Sequence, residues 1–155
     1  MSDDLRDLYQ EVILDHAKNP RNFGAPEAGG NQDYRLAHGN NPLCGDRLTL
    51  YVTVADGVVR NAVFEGHGCA ISLASASLMT EAVKGKPEAE VRELFRRFHD
   101  LMTNDDAETD AESLDKLAVF SGVREFPVRV KCATLAWHTL VAALDGADAD
   151  ATTEV

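Results

Sequence analysis

Three cysteines and one aspartate are the residues of this chain whose types and spacing best suit chemistry. Cys44, Cys69 and Cys132 are its three cysteines, and Asp46 stands two positions after the first of them. Three thiols cannot all pair within one chain, so at least one sulfur is free to bind a metal or to react. Three sulfurs and one carboxylate oxygen form a ligand set that Zn²⁺ accepts at four-coordination.

Glycines beside the cysteines favour metal binding over the alternative, which is that the thiols are buried and inert. Gly45 follows Cys44, and Gly68 precedes Cys69. Glycine lets the backbone approach an ion closely, whereas a cysteine in the core of a strand has no need of it. Free cysteine is nonetheless often buried without a ligand, and no CxxC spacing is present. Spacing alone therefore leaves both interpretations open.

A β-hairpin is the clearest element that brings two of the thiols together. Residues 48–54 and 58–65 alternate β-favouring side chains, and Asp56-Gly57 between them is a strong turn signal. The first cysteine precedes the first predicted strand, and the second cysteine follows the second strand. Antiparallel pairing therefore places both thiols at the same end of the hairpin.

Predicted helices position the third thiol and cover the sheet. A helix of small residues over residues 70–84 begins directly after Cys69, and Cys132 is predicted at the entrance to the last helix. Apolar residues at helical spacing also predict an N-terminal helix from Leu5 and a helix after Pro87 that packs on the apolar face of the hairpin.

These elements predict an α+β fold in which a small antiparallel sheet of about three strands is covered by helices. Residues 1–144 are expected to form a single domain. Within it, residues 34–36 are predicted as a short edge strand, residues 38–46 as a loop and residues 103–116 as a flexible acidic insert. Residues 145–155 have nothing to bury and are expected to form a disordered acidic tail.

The charge balance and the hydropathy exclude two classes of partner. Lys and Arg number 15 and Asp and Glu number 26, which gives a formal net charge of −11, so a phosphate backbone is repelled and no nucleic-acid partner is expected. No apolar run approaches the ~20 residues that span a bilayer, so no membrane partner is expected. The N-terminus carries acids where a secretory signal carries bases. The cytoplasm, where thiols stay reduced, is the predicted location.

Three segments of the sequence resemble the NifU-like, or IscU-like, iron–sulfur cluster assembly family. They are residues 41–46 (NPLCGD), residues 66–77 (GHGCAISLASAS) and residues 129–137 (RVKCATLAW). Two features resemble the zinc-containing SufU branch of that family. Scaffold members that build clusters usually have His immediately before the last cysteine, where this chain has Lys131, and SufU-like members carry an insertion that the acidic residues 103–116 resemble.

The resemblance implies an IscU-like or NifU N-terminal-like fold with Zn²⁺ held by Cys44, Asp46, Cys69 and Cys132. It implies a zinc-dependent sulfur acceptor, or sulfurtransferase, that takes persulfide sulfur from a pyridoxal-phosphate cysteine desulfurase of the SufS kind. Downstream iron–sulfur assembly proteins are the implied recipients. Cys44 is the implied persulfide acceptor, because a thiolate released from zinc is an able nucleophile. The chain would then activate the desulfurase rather than act as an independent enzyme.

Three residues near the motifs are auxiliary candidates. Arg129 matches an arginine that family members keep near the metal, where it could steady the freed thiolate or dock the partner; the alternative is a solvated surface charge. His67 precedes Cys69 by two positions and could touch the metal or the partner, with a plain loop histidine as the alternative. Lys131 is the residue that departs from the cluster-building pattern.

Two other functions remain open. The same four ligands suit an iron–sulfur cluster, which would make the chain an assembly scaffold. A structural zinc module that binds a partner without sulfur chemistry is the alternative from another class. Asp46 argues against that module, because structural zinc sites usually consist of Cys and His alone.

Overall fold

The computed structural model describes residues 3–26, 34–42, 44–103, 111–146 and 149–152. The chain forms four α-helices, a 3-10 helical segment and one mixed β-sheet within the described residues. In chain order they are α1 Asp3–Lys18, β1 Arg35–Asn41, β2 Asp46–Ala55, β3 Val58–His67, α2 Ala70–Val83, α3 Glu88–Thr103, a 3-10 helical segment Ala111–Glu125, α4 Pro127–Asp145 and β4 Ala149–Thr152. The strand order in the sheet is β3-β2-β1-β4.

The predicted hairpin is confirmed as β2 and β3. The two strands pair antiparallel, and Ala55 lies opposite Val58 at the turn. Asp56 and Gly57 both have positive φ, 55° and 73°, as a two-residue turn that follows the strand twist requires. β1 pairs antiparallel with the other edge of β2, so the predicted three-stranded antiparallel sheet is present.

The C-terminal part of the chain adds a fourth strand that the sequence did not predict. β4 pairs parallel with the outer edge of β1, with Ala37 opposite Ala149. The expectation that everything after residue 145 is disordered is therefore wrong for residues 149–152. Strand pairing uses backbone N–H and C=O groups, so the unpaired edge of β1 can accept a strand whose sequence has no large apolar residues.

β1 extends further than the predicted edge strand, because residues 38–41 are strand rather than loop. The close approach of α4 explains this. A Cβ added at Gly39 would collide with the Thr139 hydroxyl and would lie 3.3 Å from a Leu135 methyl carbon. Glycine therefore lets α4 pack directly on β1, and tertiary contacts override the low strand propensity of the segment.

The core lies between one face of the sheet and the helices. α2 and α4 pack on the sheet, and Trp137 of α4 is fully buried. α3 packs mainly on α4 and the 3-10 segment, with Phe95 and Phe98 stacked on Trp137 at ring-centroid distances of 6.4 Å and 5.2 Å. The expectation that α3 packs on the hairpin is therefore wrong, because the aromatic side chains of α3 pack on Trp137 of α4 instead.

α1 packs against α2 and is held by a buried polar contact. His16 is buried, and its Nδ1 lies 2.7 Å from the Ser77 hydroxyl of α2. The small side chains of α2 thus serve close packing, as the sequence indicated. Residues 104–110 of the acidic insert lie outside the described residues. No helix in the described part of the chain has the length and apolarity needed to cross a membrane.

Candidate metal centre

The cysteines and the aspartate converge at one end of the sheet. Cys44 lies in the turn between β1 and β2, and Asp46 is the first residue of β2. Cys69 follows β3 and caps the N-terminus of α2, where its sulfur accepts a hydrogen bond from the Ser72 N–H at 3.4 Å. The positions of Cys44 and Cys69 agree with the sequence analysis, whereas Asp46 was expected in the loop and is the first residue of the strand.

Cys132 reaches the cluster from a different position than the sequence indicated. α4 begins at Pro127, so Cys132 lies in the second turn of the helix rather than at its entrance. Proline is favoured at the first helical position, because its missing N–H would have no partner there. Cys132 faces the core and is fully buried.

Three of the four side chains form a compact group, and the fourth, Cys69, lies beside it. Ligand atoms of Cys44, Asp46 and Cys132 all lie within 4.8 Å of one another, and the Cys44 and Cys132 sulfurs are 3.2 Å apart. The Cys69 sulfur joins them at 3.9 Å from Oδ2 of Asp46. The structure therefore brings Cys44, Asp46 and Cys132 together, and it places Cys69 next to Asp46 but outside the group whose ligand atoms all lie within 4.8 Å of one another.

Asp46 is fixed in place by the backbone around it. Its carboxylate is fully buried, and Oδ1 accepts a hydrogen bond from the backbone N–H of Cys69 at 2.8 Å. A Cβ at Gly68 would collide with the same Oδ1 and would lie 3.0 Å from Cγ of Asp46. Gly68 therefore provides the space in which the carboxylate lies, and this explains one of the glycines noted in the sequence.

The thiols have different acidities in the absence of a metal. The hydrogen bond with Cys132 lowers the pKa of Cys69 to about 6, and the Ser72 N–H at the start of α2 acts in the same direction. The same bond, together with burial, raises the pKa of Cys132 above its ordinary value. The two opposite shifts favour the thiolate at Cys69 over the thiolate at Cys132.

One side of the cluster is open. Cys44 and Cys69 are half-buried and line a surface depression of about 550 Å³, together with Phe126, Val128 and Arg129. The Phe126 side chain is 59% exposed and Val128 is 53% exposed. The cluster therefore has two buried members, Asp46 and Cys132, and two that a partner can approach.

The donor set fits a zinc ion. Zn²⁺ takes thiolate and carboxylate ligands together at four-coordination, with Zn–S distances of about 2.3 Å, so tetrahedral sulfurs lie about 3.8 Å apart. The 3.2 Å between the Cys44 and Cys132 sulfurs is close to that spacing. An ion would also remove the proton from Cys132, since metal-bound thiols are deprotonated.

The auxiliary candidates differ in their relation to the cluster. Arg129 is exposed and lines the depression over the cysteines. Lys131 is half-buried and directly precedes Cys132 in α4. His67 is exposed and pairs with Arg47 across the sheet, so its side chain lies on the face opposite Asp46.

Asn41 is a residue of the site that sequence reasoning missed. It is fully buried at the end of β1, and its Nδ2 lies 3.2 Å from Oδ2 of Asp46 and 3.5 Å from the Cys132 sulfur. The segment was interpreted as a loop, in which an asparagine has no defined direction. The sequence offered one signal, an asparagine three positions before Cys44, but its burial depends on the fold.

The fold and the site define a small α+β domain with a Cys₃Asp cluster at one end of its sheet. The chain belongs to the family of NifU-like N-terminal domains, whose model matches residues 8–133. That match includes all three cysteines and Asp46.

Similar proteins carry two kinds of name. The zinc-dependent sulfurtransferase SufU of Bacillus subtilis is 43% identical over 133 residues, which cover 86% of each chain. The iron–sulfur cluster assembly scaffold protein IscU of Thermotoga maritima is 39% identical over 137 residues, covering 88% of this chain and 92% of that protein. A crystal structure of a putative SUF-system scaffold from Fervidobacterium islandicum superposes with a TM-score of 0.78 at 36% identity, over 90% of this chain and 98% of that one.

Proposed function

We propose that this protein is a zinc-dependent sulfur acceptor that takes sulfur from a cysteine desulfurase for iron–sulfur cluster assembly. Zn²⁺ would be held by Cys44, Asp46, Cys69 and Cys132. The observation that carries the proposal is the asymmetry of the cluster. Two members are fully buried, whereas Cys44 and Cys69 border the open depression, and of these two Cys44 lies in a turn while Cys69 caps a helix. The resemblance to a protein named as a zinc-dependent sulfurtransferase supports the same reading.

The bound ion would keep the thiols ionised and shielded from reaction until a partner displaces one of them. Cys44 is the ligand best placed to leave. It belongs to a short turn, anchored by the hydrogen bond from its N–H to the Asn41 carbonyl at 3.3 Å, and its side chain borders solvent. Cys132, in contrast, is part of a helix that packs in the core.

The transfer step needs only the Cys44 thiolate and the donor's persulfide. The thiolate attacks the outer sulfur of the persulfide, and a new S–S bond forms to Cys44. The original S–S bond breaks at the same time, and its electron pair leaves with the donor cysteine as a thiolate. Sulfur is transferred without a net change in oxidation state, so no additional oxidant or reductant is required.

The surface around the depression suits a protein partner. Phe126 and Val128 are exposed apolar side chains next to the cysteines, and Arg129 adds a positive charge. Arg129 would contact the donor or steady the released thiolate. The three cysteines are free, which agrees with a reducing compartment, and we propose the cytoplasm as the location.

The test is to map the transferred sulfur. Zinc-loaded protein is mixed with a cysteine desulfurase and L-cysteine, and intact and peptide mass spectrometry locate the added sulfur atom. We expect it on Cys44. The variants Cys44→Ser, Cys69→Ser and Cys132→Ser each lose one ligand and serve as matched controls, but only Cys44→Ser also loses the acceptor. Sulfur found on Cys132 in the wild type would refute the role given to Cys44.

An iron–sulfur scaffold is the second candidate function, and the similarity to proteins named as IscU scaffolds favours it. The same three cysteines and Asp46 could bind the iron atoms of an iron–sulfur cluster, since thiolates are the usual ligands of such iron atoms. Anaerobic reconstitution with iron and sulfide discriminates between the two. A stable cluster that passes intact to an apo acceptor, with zinc inhibiting the reaction, would favour the scaffold. A labile cluster and higher desulfurase turnover with zinc-loaded protein would favour the sulfur acceptor.

A further inference from the structure

Asn41 joins the two buried members of the cluster. Its amide nitrogen lies within hydrogen-bond distance of Oδ2 of Asp46, at 3.2 Å, and of the Cys132 sulfur, at 3.5 Å. Asp46 begins β2 and Cys132 belongs to α4, so one side chain on β1 connects ligands from two other elements.

The strand register fixes the direction of this side chain. Asn41 and Asp46 are direct partners across β1 and β2, and paired residues of neighbouring strands project to the same face of a sheet. Asn40 pairs with Arg47 and is exposed, so it projects to the opposite face. The turn that carries Cys44 connects this pair of residues.

The chemistry of the neighbours determines which end of the amide faces them. A carboxylate has only acceptor atoms, and a thiolate is an acceptor as well. The NH₂ group is therefore the end directed at Asp46 and Cys132, because an amide oxygen there would meet two negatively charged acceptors. Its two N–H groups are enough to serve both.

A zinc ion with this ligand set leaves an excess of negative charge. Three thiolates and one carboxylate carry four negative charges against the two positive charges of Zn²⁺. Buried charge is costly unless hydrogen bonds compensate for it. Within the part of the chain that the structure describes, N–H groups of Asn41, Cys69 and Ser72 are directed at the ligands, and the one from Asn41 belongs to a side chain.

We propose that Asn41 is a positioning residue that holds Asp46 and Cys132 as the fixed ligand pair, so that ligand exchange is confined to the side of Cys44. This inference rests on the proposed zinc-dependent function. When a side chain hydrogen-bonds to metal ligands but not to the metal, losing those hydrogen bonds typically weakens metal binding by about 10- to 100-fold. Asn41 itself would neither bind the ion nor react.

The test compares Asn41→Leu with Asn40→Leu. The first replaces the donors by an apolar group of similar size, and the second makes the same change one residue away on the exposed face. Zinc dissociation is followed as transfer to excess chelator. We expect an increase in rate of about 10- to 100-fold for Asn41→Leu and no change for Asn40→Leu. Substitution with Co²⁺ should show altered thiolate charge-transfer bands only in the first variant.

A second readout separates positioning from a general structural role. During persulfide uptake from a cysteine desulfurase, the wild type should keep its zinc, whereas Asn41→Leu should release it. The metal-free variant should also unfold more readily than the wild type, because the buried Asp46 carboxylate loses a donor, so zinc exchange and zinc release decide the outcome rather than stability. A lower metal-free stability with unchanged zinc exchange would overturn the inference.

Two further measurements test the proposal if Asn41→Leu does not fold. Asn41→Ser is smaller, retains one donor and should give an intermediate zinc exchange rate. In the wild type, the NMR signals of the Asn41 side-chain amide should shift on zinc binding, and an absent shift would overturn the inference. If the wild type binds neither Zn²⁺ nor Co²⁺, the proposed function fails. If it binds both and Asn41→Leu exchanges them at the wild-type rate, only the role of Asn41 fails.

Discussion

The Gly68→Ala substitution tests the geometry of the metal centre with a single methyl group. Gly68 has no left-handed φ, so alanine adds no backbone strain there, and the effect comes from the new Cβ. That Cβ would collide with Oδ1 of Asp46 and would lie 3.1 Å from the Asp46 Cα. The carboxylate must move, and its 2.8 Å bond from the Cys69 N–H is lost.

The size of the effect follows from that bond. A hydrogen bond to a charged group contributes about 1.5–3 kcal/mol, and Asp46 is fully buried, so water cannot replace the donor. We expect the metal-free protein to lose about 2 kcal/mol of unfolding free energy. The zinc complex, in which Asp46 must also point at the ion, should bind about 10- to 100-fold more weakly.

Two assays measure these quantities separately. Urea unfolding of metal-free protein gives the stability change, and competition with a chelator gives the zinc affinity. Gly122→Ala is the matched control, because no heavy atom lies within 4 Å of its added Cβ and its φ is not left-handed. It should change the stability by less than about 0.5 kcal/mol. A zinc affinity of Gly68→Ala equal to that of the wild type would refute the conclusion that Gly68 provides the space for the Asp46 carboxylate.

Three further predictions concern the packing, the pH response and the docking surface. Gly39→Ala should destabilise the fold by about 1–3 kcal/mol, because its Cβ collides with the Thr139 hydroxyl. Thr139→Ala should recover part of this loss in the double variant, measured by urea unfolding. Burial lowers the pKa of His16 in the folded protein. As the pH falls, the His16 imidazole is therefore protonated in the unfolded chain before it is protonated in the folded chain. Stability should fall as the pH drops below about 6.5, and His16→Gln should reduce that fall, measured as urea midpoints between about pH 7.5 and 5.5. Phe126→Ser should lower desulfurase stimulation without changing the zinc content, because the side chain is exposed beside the cysteines and is not one of the four ligands. A stimulation equal to that of the wild type would place the docking surface elsewhere.

Local signals in the sequence were sufficient for the elements that depend on local chemistry. Asp56-Gly57 determined the hairpin, since few dipeptides accept positive φ at both positions. Cys69 was correctly placed between strand and helix. Together with the position of Cys44 before β2, the hairpin was enough to bring two thiols and Asp46 to one end of the sheet.

The parts that were missed depend on distant contacts. Residues 38–41 have low strand propensity, but β1 is fixed by pairing with β2 and by the contact of Gly39 with α4. β4 forms on the open edge of β1 with no apolar pattern of its own. Proline breaks a helix at most positions but is favoured as the first residue of a helix. The sequence around Pro127 therefore did not determine where α4 begins.

The unequal burial of the ligands has the most direct consequence for function, and it too depends on long-range packing. Cys44 and Cys132 are 88 positions apart in the chain, yet their sulfurs are 3.2 Å apart. Displacing Cys132 would require a shift of α4, whose core face includes the fully buried Trp137. Displacing Cys44 requires only a rearrangement of the turn before β2. Cys69 is half-buried, as Cys44 is, but it caps α2 and accepts a hydrogen bond from the Ser72 N–H. The cost of releasing a ligand is therefore set by the element that carries it, and the turn makes Cys44 the ligand that we expect to exchange.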